Sequence, residues 1–355
     1  MQIHTFEVSA MLTNETYYNI QNELKTRNRD KWKALKNGMQ YWGLSDKGIL
    51  INFHQVKKKG FYSYYIIYRI SARRVMENDN FVGLFNIKNY SALEDEVNMI
   101  LKDACVNLPK LNKCNLKRLD FCVNARLDNQ EQVKAYIRTV KRANVPSKLE
   151  IYEQYDKKSK RTKPTKDDFT VYSSEYVAVS IYNKYMEMKK EKEGAFPSSE
   201  MERAKNIIRI EIRCMEGKIK ALKKKYNVNS IRDFISKGNK IGKELYNYYL
   251  SKIFNDGEIF TLKEAMSSID RSGYKPENIS LLKEFVKDCN ESRSVAETIR
   301  MYKNLYGKKE TKRIIFMLDN INTSYVTVTN SDVKLFDNGY IPTPLELYND
   351  FIKWF

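Results

Sequence analysis

Polar side chains alternate with apolar ones in three segments that are otherwise typical of β-strands. The polar positions are Arg118, Asp120, Cys122 and Asn124 in residues 117–124, Ser180, Tyr182 and Lys184 in residues 176–184, and Arg209, Glu211 and Arg213 in residues 207–213. Because successive side chains of a strand point to opposite faces, each segment has one apolar face and one face with polar groups. Ordinary strands with one solvated face can also carry Glu–Arg pairs. Asp and Glu are depleted from strand interiors, however, so the presence of Asp120 and Glu211 there favours a functional site. If the strands are neighbours, we expect both carboxylates, Tyr182 and several cations to converge on one exposed sheet face.

These side-chain types suit metal-assisted attack on a phosphate. Two carboxylates offer hard oxygen ligands for Mg²⁺ or Mn²⁺, and the ion would polarise the phosphate and neutralise charge in the transition state. Tyr182 is the candidate covalent nucleophile. Its ordinary pKa of about 10 makes deprotonation at neutral pH cost roughly 4 kcal/mol, which a nearby metal or the Lys184 ammonium would reduce. This chemistry would make Asp120 and Glu211 candidate metal ligands, and Tyr182 and Lys184 candidate catalytic groups.

The elements that must position these residues alternate between strand-like and helix-like patterns. The patterns predict strands at 1–12, 116–124, 148–154, 169–173, 176–184 and 207–213, and helices at 15–27 after an Asn14 cap, from a Ser91 cap to about 105, and at 128–143. GILINFHQ and FYSYYIIYRIS flank VKKKG as a predicted β-hairpin. Helical patterns follow from residue 216 to 320, and then a strand-like YVTV.

These patterns predict an α+β fold with two domains. We expect a nuclease domain at residues 1–225, with a mixed or antiparallel-rich sheet and helices on one face. A small, mainly helical domain at 226–355 would aid DNA recognition or self-association, the latter as a homodimer. A length of 355 residues fits about two domains.

The charge of the chain indicates a polyanionic partner. Lys+Arg 63 against Asp+Glu 44 gives a net charge of +19, which attracts nucleic acid through long-range fields and counterion release. The densest basic cluster, DKKSKRTKPTKDD at 156–168, has no apolar residue and predicts a solvated loop. The predicted nucleic-acid contacts are Arg118, Lys157, Lys158, Lys160, Arg161, Lys163, Arg209 and Arg213. The many tyrosines of the chain, 25 in all, add flat rings on which unpaired bases could stack.

Several protein classes are excluded or disfavoured. No apolar run reaches the roughly 18 residues of a membrane span, the first residues lack a signal-peptide layout, and five Cys without zinc-like spacing indicate reduced thiols in a cytoplasm. No G-x-S-x-G or P-loop motif is present. The only histidines, His4 and His54, are too far apart for a His-hydrophobe-His metal motif and suit a tyrosine recombinase poorly.

At LKRLDFCVNA, VYSSEYVAVSIYNK and IIRIEIRCMEGK the chain resembles rolling-circle replication initiators. It is similar to the group of staphylococcal plasmid Rep proteins and related relaxases, and to filamentous-phage gene II replication proteins. Members share an R-x-D strand, a strand that ends in Tyr-Asn/Asp-Lys, and an R-x-E strand, in that order. Two features depart from the pattern. Many members have a Gly-Ser-Arg-like element before the Tyr strand, and here it is reduced to Tyr172-Ser173-Ser174. Members often have a second acid on the R-x-D strand, and this chain has Asn124 at that position.

The resemblance implies that Tyr182 nicks origin DNA, single-stranded or in a hairpin. It would form a 5′-phosphotyrosine and leave a 3′-OH for the host polymerase. A host helicase is a further implied partner. Asp120 and Glu211 would help to hold the metal. Tyr185 is close enough in sequence to be the nucleophile or a second one. The implied location is the cytoplasm of a bacterium or of a phage-infected host cell. The alternatives are a non-catalytic DNA- or RNA-binding protein and a carboxylate nuclease that uses water.

Overall fold

The computed structural model of the chain describes residues 1–58, 60–77, 80–146, 148–151, 154–156, 161–163, 168–190, 195–292, 294–344 and 346–348. Within these ranges the fold is mixed α+β, with one ten-stranded antiparallel sheet, a separate two-stranded sheet and many helices. The predicted α+β class with an antiparallel-rich sheet is confirmed.

The strand bounds agree closely with the predictions at 1–12, 116–124, 169–173, 176–184 and 207–213 and in the hairpin. The predicted strand at 148–154 is wrong, because its described residues include parts of two short strands that belong to different sheets. The strands at 32–35, 38–41 and 161–163 were not predicted. The strands are β1 (Gln2–Leu12), β2 (Trp32–Leu35), β3 (Gly38–Tyr41), β4 (Ile49–Lys58), β5 (Phe61–Ser71), β6 (Asn115–Arg126), β7 (Glu150–Ile151), β8 (Gln154–Asp156), β9 (Arg161–Lys163), β10 (Phe169–Ser173), β11 (Val177–Asn183) and β12 (Ile207–Met215). The order in the large sheet is β2-β3-β4-β5-β1-β6-β12-β11-β10-β7, and β8 pairs with β9. The three strands with polar side chains, β6, β12 and β11, are therefore consecutive, which meets the condition set for the polar face.

Helices occupy most of the chain after β12. They are α1 (Asn14–Arg27), α2 (Ala72–Met76), α3 (Tyr90–Ala104), α4 (Gln130–Arg142), α5 (Lys184–Lys189), α6 (Ser198–Ala204), α7 (Glu216–Tyr226), α8 (Ile231–Ser236), α9 (Gly238–Phe254), α10 (Leu262–Asp270), α11 (Pro276–Glu291), α12 (Val295–Leu305), α13 (Gly307–Asn320) and α14 (Asn330–Val333). No helix in the described ranges is long and apolar enough to cross a membrane.

Three local predictions are wrong, namely the caps of α1 and α3 and the strand at YVTV. Thr13, not Asn14, caps α1, because Thr13 has the extended backbone a cap needs and its side chain accepts the Thr16 N–H. Asn89 precedes α3, and Ser91 already lies inside that helix. Within the described residues, the YVTV run at 325–328 is buried but makes only an isolated bridge, Thr261↔Val328. Its first two N–H groups donate to the side chains of Asn255 and Ser324 and not to a neighbouring strand.

The expected exposure of the polar sheet face is also wrong. Arg118, Asp120 and Asn124 on β6 are 8%, 0% and 4% exposed, and Arg209 and Glu211 on β12 are 0% and 5% exposed. Burial of such groups is tolerated only when each has an ionic or hydrogen-bonding partner. The alternation in sequence distinguishes the two faces of a strand, but it does not tell whether solvent or protein covers them.

The chain divides into two compact units. One contains Met1–Cys122, Glu175–Val177 and Ile212–Lys243, and the other contains Val123–Ser174, Ala178–Glu211 and Glu244–Phe355. Strands β6 and β12 contribute residues to both units. The predicted domain boundary at 225 stays a prediction.

Candidate functional site

In the first unit, Asp120 lies between two arginines. Its carboxylate accepts the Nε–H of Arg118 at 2.8 Å, with a second bond from Arg118 Nη2, and the Nε–H of Arg213 at 3.3 Å. Arg118 also donates to Glu7 at 3.3 Å, and Glu7 accepts from Arg69 at 2.7 Å. We call these five residues the Asp120 cluster.

The Asp120 cluster follows from strand geometry. Arg118 and Asp120 are two residues apart on β6 and share a face, while Glu7 pairs opposite Arg118 from β1. The two-point bond between a guanidinium and a carboxylate is among the strongest side-chain pairs, and it holds the planes of both groups. Burial, with a smaller contribution from the charge of Asp120, raises the pKa of the neighbouring Cys214 thiol to about 12.

In the second unit, Tyr182 donates a hydrogen bond to Glu211. The distance from Tyr182 Oη to Glu211 Oε1 is 2.6 Å. Burial raises the pKa of Tyr182 well above 10, and the negative charge of Glu211 raises it further. The proton therefore stays on Tyr182 at neutral pH, but the atom that would accept it is already in contact. A nucleophile hydrogen-bonded to a base is the arrangement found where a side-chain hydroxyl is activated for attack.

Arg209 adds a buried positive charge beside this pair. It lies two residues before Glu211 on β12, and its Nε–H donates to Asn124 Oδ1 at 2.7 Å. Its charge opposes the rise in the pKa of Tyr182. Asn124 thus serves as a neutral acceptor for Arg209. Rolling-circle initiators often have an acid at this position.

Lys184 follows the same strand as Tyr182, at the point where β11 passes into α5. Asn183 caps α5 by accepting the Met186 N–H, and this fixes the turn after the strand. Lys184 is 4% exposed and its Nζ donates to Glu187 Oε2 at 2.6 Å. Burial, and after it the charge of Arg209, lowers the pKa of Lys184 from its ordinary 10.5.

Tyr182 and Tyr185 differ in their surroundings. Both are half-buried, but Tyr185 lies in the first turn of α5. Among the residues that the structure describes, Tyr182 is the one of the two whose hydroxyl is bonded to a carboxylate. Tyr182 is therefore the one of the two with a proton acceptor in contact, and the choice between them as nucleophile stays a prediction.

The structure groups the predicted site residues into two sets. Arg118, Asp120 and Arg213 meet in one unit, and Tyr182, Lys184, Arg209 and Glu211 lie in the other. Arg118 and Arg209, predicted as DNA contacts, are buried, while Arg213 is half-buried.

The basic cluster lies largely outside the described residues, and this includes Lys157, Lys158 and Lys160. The backbone at Arg161 and Lys163 is described. These residues form β9, which pairs with β8 at Tyr155↔Thr162, so 161–163 is a strand and not the predicted loop. A basic run without apolar residues offers no strand pattern of its own, and pairing with β8 supplies the backbone hydrogen bonds.

Sequence reasoning missed Glu7 and Glu187. Glu7 lies in the interior of β1, so the depletion of acids from strands was a usable signal for it. Glu187 is three residues after Lys184, the spacing that brings two side chains together on a helix.

The predicted metal site fits the structure in part. Carboxylate oxygens suit Mg²⁺ or Mn²⁺, and Glu211 is such a donor. Both oxygens of Asp120, however, already accept hydrogen bonds from guanidinium groups. A divalent ion there would have to displace Arg118 or lie beside two positive charges. Asp120 in this arrangement fits an ion poorly, and metal dependence stays a prediction.

A family model for the N-terminal region of the phage replication-associated protein, the gene II protein, matches residues 4–236 of the 355. The matched region contains Asp120, Tyr182, Lys184 and Glu211 and covers more than half of the chain. The chain belongs to this family. Membership in the gene II protein family confirms the resemblance to filamentous-phage gene II replication proteins, and it makes the chain a replication initiator of phage type. No curated protein and no solved structure matches the chain.

Proposed function

We propose that this member of the gene II protein family nicks single-stranded origin DNA, with Tyr182 as nucleophile and Glu211 as the acceptor of its proton. The supporting observation is the 2.6 Å hydrogen bond from Tyr182 Oη to Glu211 Oε1. A positioned base contributes typically 10²–10⁴-fold to such a reaction. Tyr182 needs such a base because burial raises its pKa and keeps its hydroxyl protonated.

The proposed step exchanges one phosphate ester for another. The Tyr182 oxygen attacks the phosphorus, its proton passes to Glu211, and the bond between phosphorus and O3′ breaks. The phosphate remains on Tyr182 as a 5′-phosphotyrosine, and the 3′ oxygen takes a proton from water and leaves as a 3′-OH. Because the ester bond is conserved on the enzyme, the cut strand can later be rejoined by the reverse step.

The neighbouring cations have supporting roles in this proposal. Arg209 lowers the free energy of the Tyr182 phenolate, since its charge opposes the rise in the pKa of Tyr182. Arg209 is held by Asn124, and Lys184 is held by Glu187, so neither needs to reorganise during the reaction. Use of the 3′-OH by a host polymerase, with a helicase opening the duplex, completes the proposed role.

A covalent-adduct assay tests the nucleophile. Labelled single-stranded oligonucleotides that cover the DNA around the gene, including its inverted repeats, are incubated with the protein and Mg²⁺ or Mn²⁺ and run on a denaturing gel. We expect a protein–DNA adduct with the parent protein and with Tyr185→Phe, and none with Tyr182→Phe. Tyr185→Phe is the matched control because Tyr185 is also half-buried and lies three residues away.

The other outcomes separate the alternatives. An adduct that persists in Tyr182→Phe and disappears in Tyr185→Phe would assign the nucleophile to Tyr185. Cleavage without any adduct would indicate a nuclease that uses water, and binding without cleavage would indicate a non-catalytic DNA-binding protein.

A further inference from the structure

The hairpin of β4 and β5 carries exposed tyrosines outside the site that contains Tyr182. Tyr62 is 53% exposed at its tip, Tyr64 is partly exposed two residues further along β5, and Tyr18 of α1 is 43% exposed. Tyr62 and Tyr64 share a face of β5 because they are two residues apart. We call Tyr18, Tyr62 and Tyr64 the tyrosine strip.

The rings of the tyrosine strip are held in contact with one another. The Tyr62 and Tyr64 centroids are 6.5 Å apart with an interplanar angle of 32°, and the Tyr64 and Tyr18 centroids are 5.9 Å apart. The buried Tyr17 packs on Tyr64 at 5.0 Å. The Gln55 amide donates to the Tyr18 hydroxyl at 2.8 Å. These contacts orient the rings before any ligand binds, which reduces the entropy lost on binding.

The charge of the hairpin matches a polyanion. From residue 49 to residue 71 the chain has three Lys and one Arg, and neither Asp nor Glu. Lys57 and Lys58 are exposed at the end of β4, and Lys57 Nζ lies 5.5 Å from the centre of the Tyr62 ring. A cation beside an exposed ring offers one contact for a phosphate and one for a base, which is the combination that single-strand-binding proteins use.

We propose that the tyrosine strip is a binding surface for unpaired DNA, on which bases stack against Tyr62 and Tyr64 while Lys57 and Lys58 contact the phosphates. Base stacking requires an open base face, so the strip favours single strands over duplex, in which neighbouring base pairs cover those faces. The surface would hold the strand at a place other than the nucleophile. It rests on the proposed function only in taking single-stranded DNA as the ligand.

Binding of a fluorescent oligothymidylate tests this proposal. All variants are made in the Tyr182→Phe protein, so that binding is measured without cleavage and a failure of the nicking proposal leaves the assay intact. We expect Tyr62→Ala to weaken binding at least about fivefold, the lower end for loss of one stacked ring. Tyr62→Phe keeps the ring and should bind like the parent protein.

Tyr248→Ala is the matched control for Tyr62→Ala. Tyr248 is 51% exposed on α9 and also has a lysine, Lys252, over its ring at 3.8 Å, but its ring neighbour Tyr249 is buried. We expect no change in binding for this variant. If Tyr62→Ala binds like the parent protein, or if Tyr248→Ala loses as much affinity, the proposal is overturned.

Two further measurements separate stacking from charge. An oligonucleotide with 2-aminopurine should lose fluorescence on binding to the parent protein and to Tyr62→Phe, and less so on binding to Tyr62→Ala. Lys57→Gln should reduce the slope of log affinity against log salt by about 1, while Tyr62→Ala leaves that slope unchanged. Equal loss of duplex and single-strand binding in Tyr62→Ala would contradict the preference for unpaired bases.

Discussion

Replacement of Asp120 by Asn distinguishes a structural ion pair from a metal ligand. Asp120 is 0% exposed, and it neutralises Arg118, whose side chain is 10% exposed, and Arg213, whose side chain is 30% exposed. Asn keeps the shape of the side chain but removes the negative charge, so two guanidinium groups remain close together with less compensation.

The magnitude follows from the burial of the partners. Removal of one member of a buried ion pair costs about 3–5 kcal/mol. Arg118 keeps its contact with Glu7, and Arg213 is partly solvated, so we expect the lower end, about 3 kcal/mol of unfolding free energy. The exposed pair of Glu310 with Arg313 is the control, and Glu310→Gln should cost about 0–1 kcal/mol.

Urea unfolding followed by circular dichroism measures both variants at neutral pH, and equal m-values show that the denatured states are comparable. The titrations are then repeated with Mg²⁺ or Mn²⁺. Because Asp120 is already paired, we expect an ion to leave the difference between Asp120→Asn and the parent protein unchanged. A cost as small as that of Glu310→Gln would refute the ion-pair reasoning. Stabilisation of the parent protein but not of Asp120→Asn by the ion would refute it too, since a ligand that binds the folded state stabilises it by mass action.

Three further predictions concern the nucleophile, alkaline pH and salt. Glu211→Gln should reduce the rate of adduct formation about 100-fold, because the proton acceptor is lost, and it should lower the pKa of Tyr182 in an ultraviolet titration, because the charge that raises it is removed. Unfolding free energy should fall as pH rises above about 9. Burial raises the pKa of the Cys114 and Cys214 thiols to about 12, so they ionise first in the unfolded chain, which then binds fewer protons than the folded one. DNA affinity should fall steeply with salt, with a log–log slope of about −0.7 for each phosphate contacted on a single strand.

Each of these predictions has a contrary result. An unchanged adduct rate in Glu211→Gln would remove Glu211 as the proton acceptor. Unfolding free energy that is constant between about pH 8 and about pH 10 would contradict the alkaline linkage. A DNA affinity independent of salt would contradict the electrostatic contribution inferred from the net charge of +19.

Local patterns in the sequence were sufficient for most elements, and they singled out the candidate site residues, whose roles stay a prediction. Alternation of apolar and polar residues predicted β6, β11 and β12, and the Gly-containing connection between two apolar runs predicted the hairpin of β4 and β5. Such signals are local because strand periodicity and turn chemistry depend on neighbours along the chain. The order of the R-x-D, Tyr-Asn-Lys and R-x-E segments was sufficient for the family as well.

Tertiary structure decided which partner each charged group has and whether water reaches it. Asp120 meets Arg213 from 93 residues away, and Tyr182 meets Glu211 from 29 residues away. Neither contact is visible in a strand pattern, because it depends on which strands become neighbours. The burial of Asp120 and Arg209 has the same origin, since alternation separates the faces of a strand but leaves open what covers them. Only the tertiary structure therefore distinguishes Asp120, whose carboxylate is paired with two arginines, from Glu211, whose carboxylate accepts a hydrogen bond from a tyrosine.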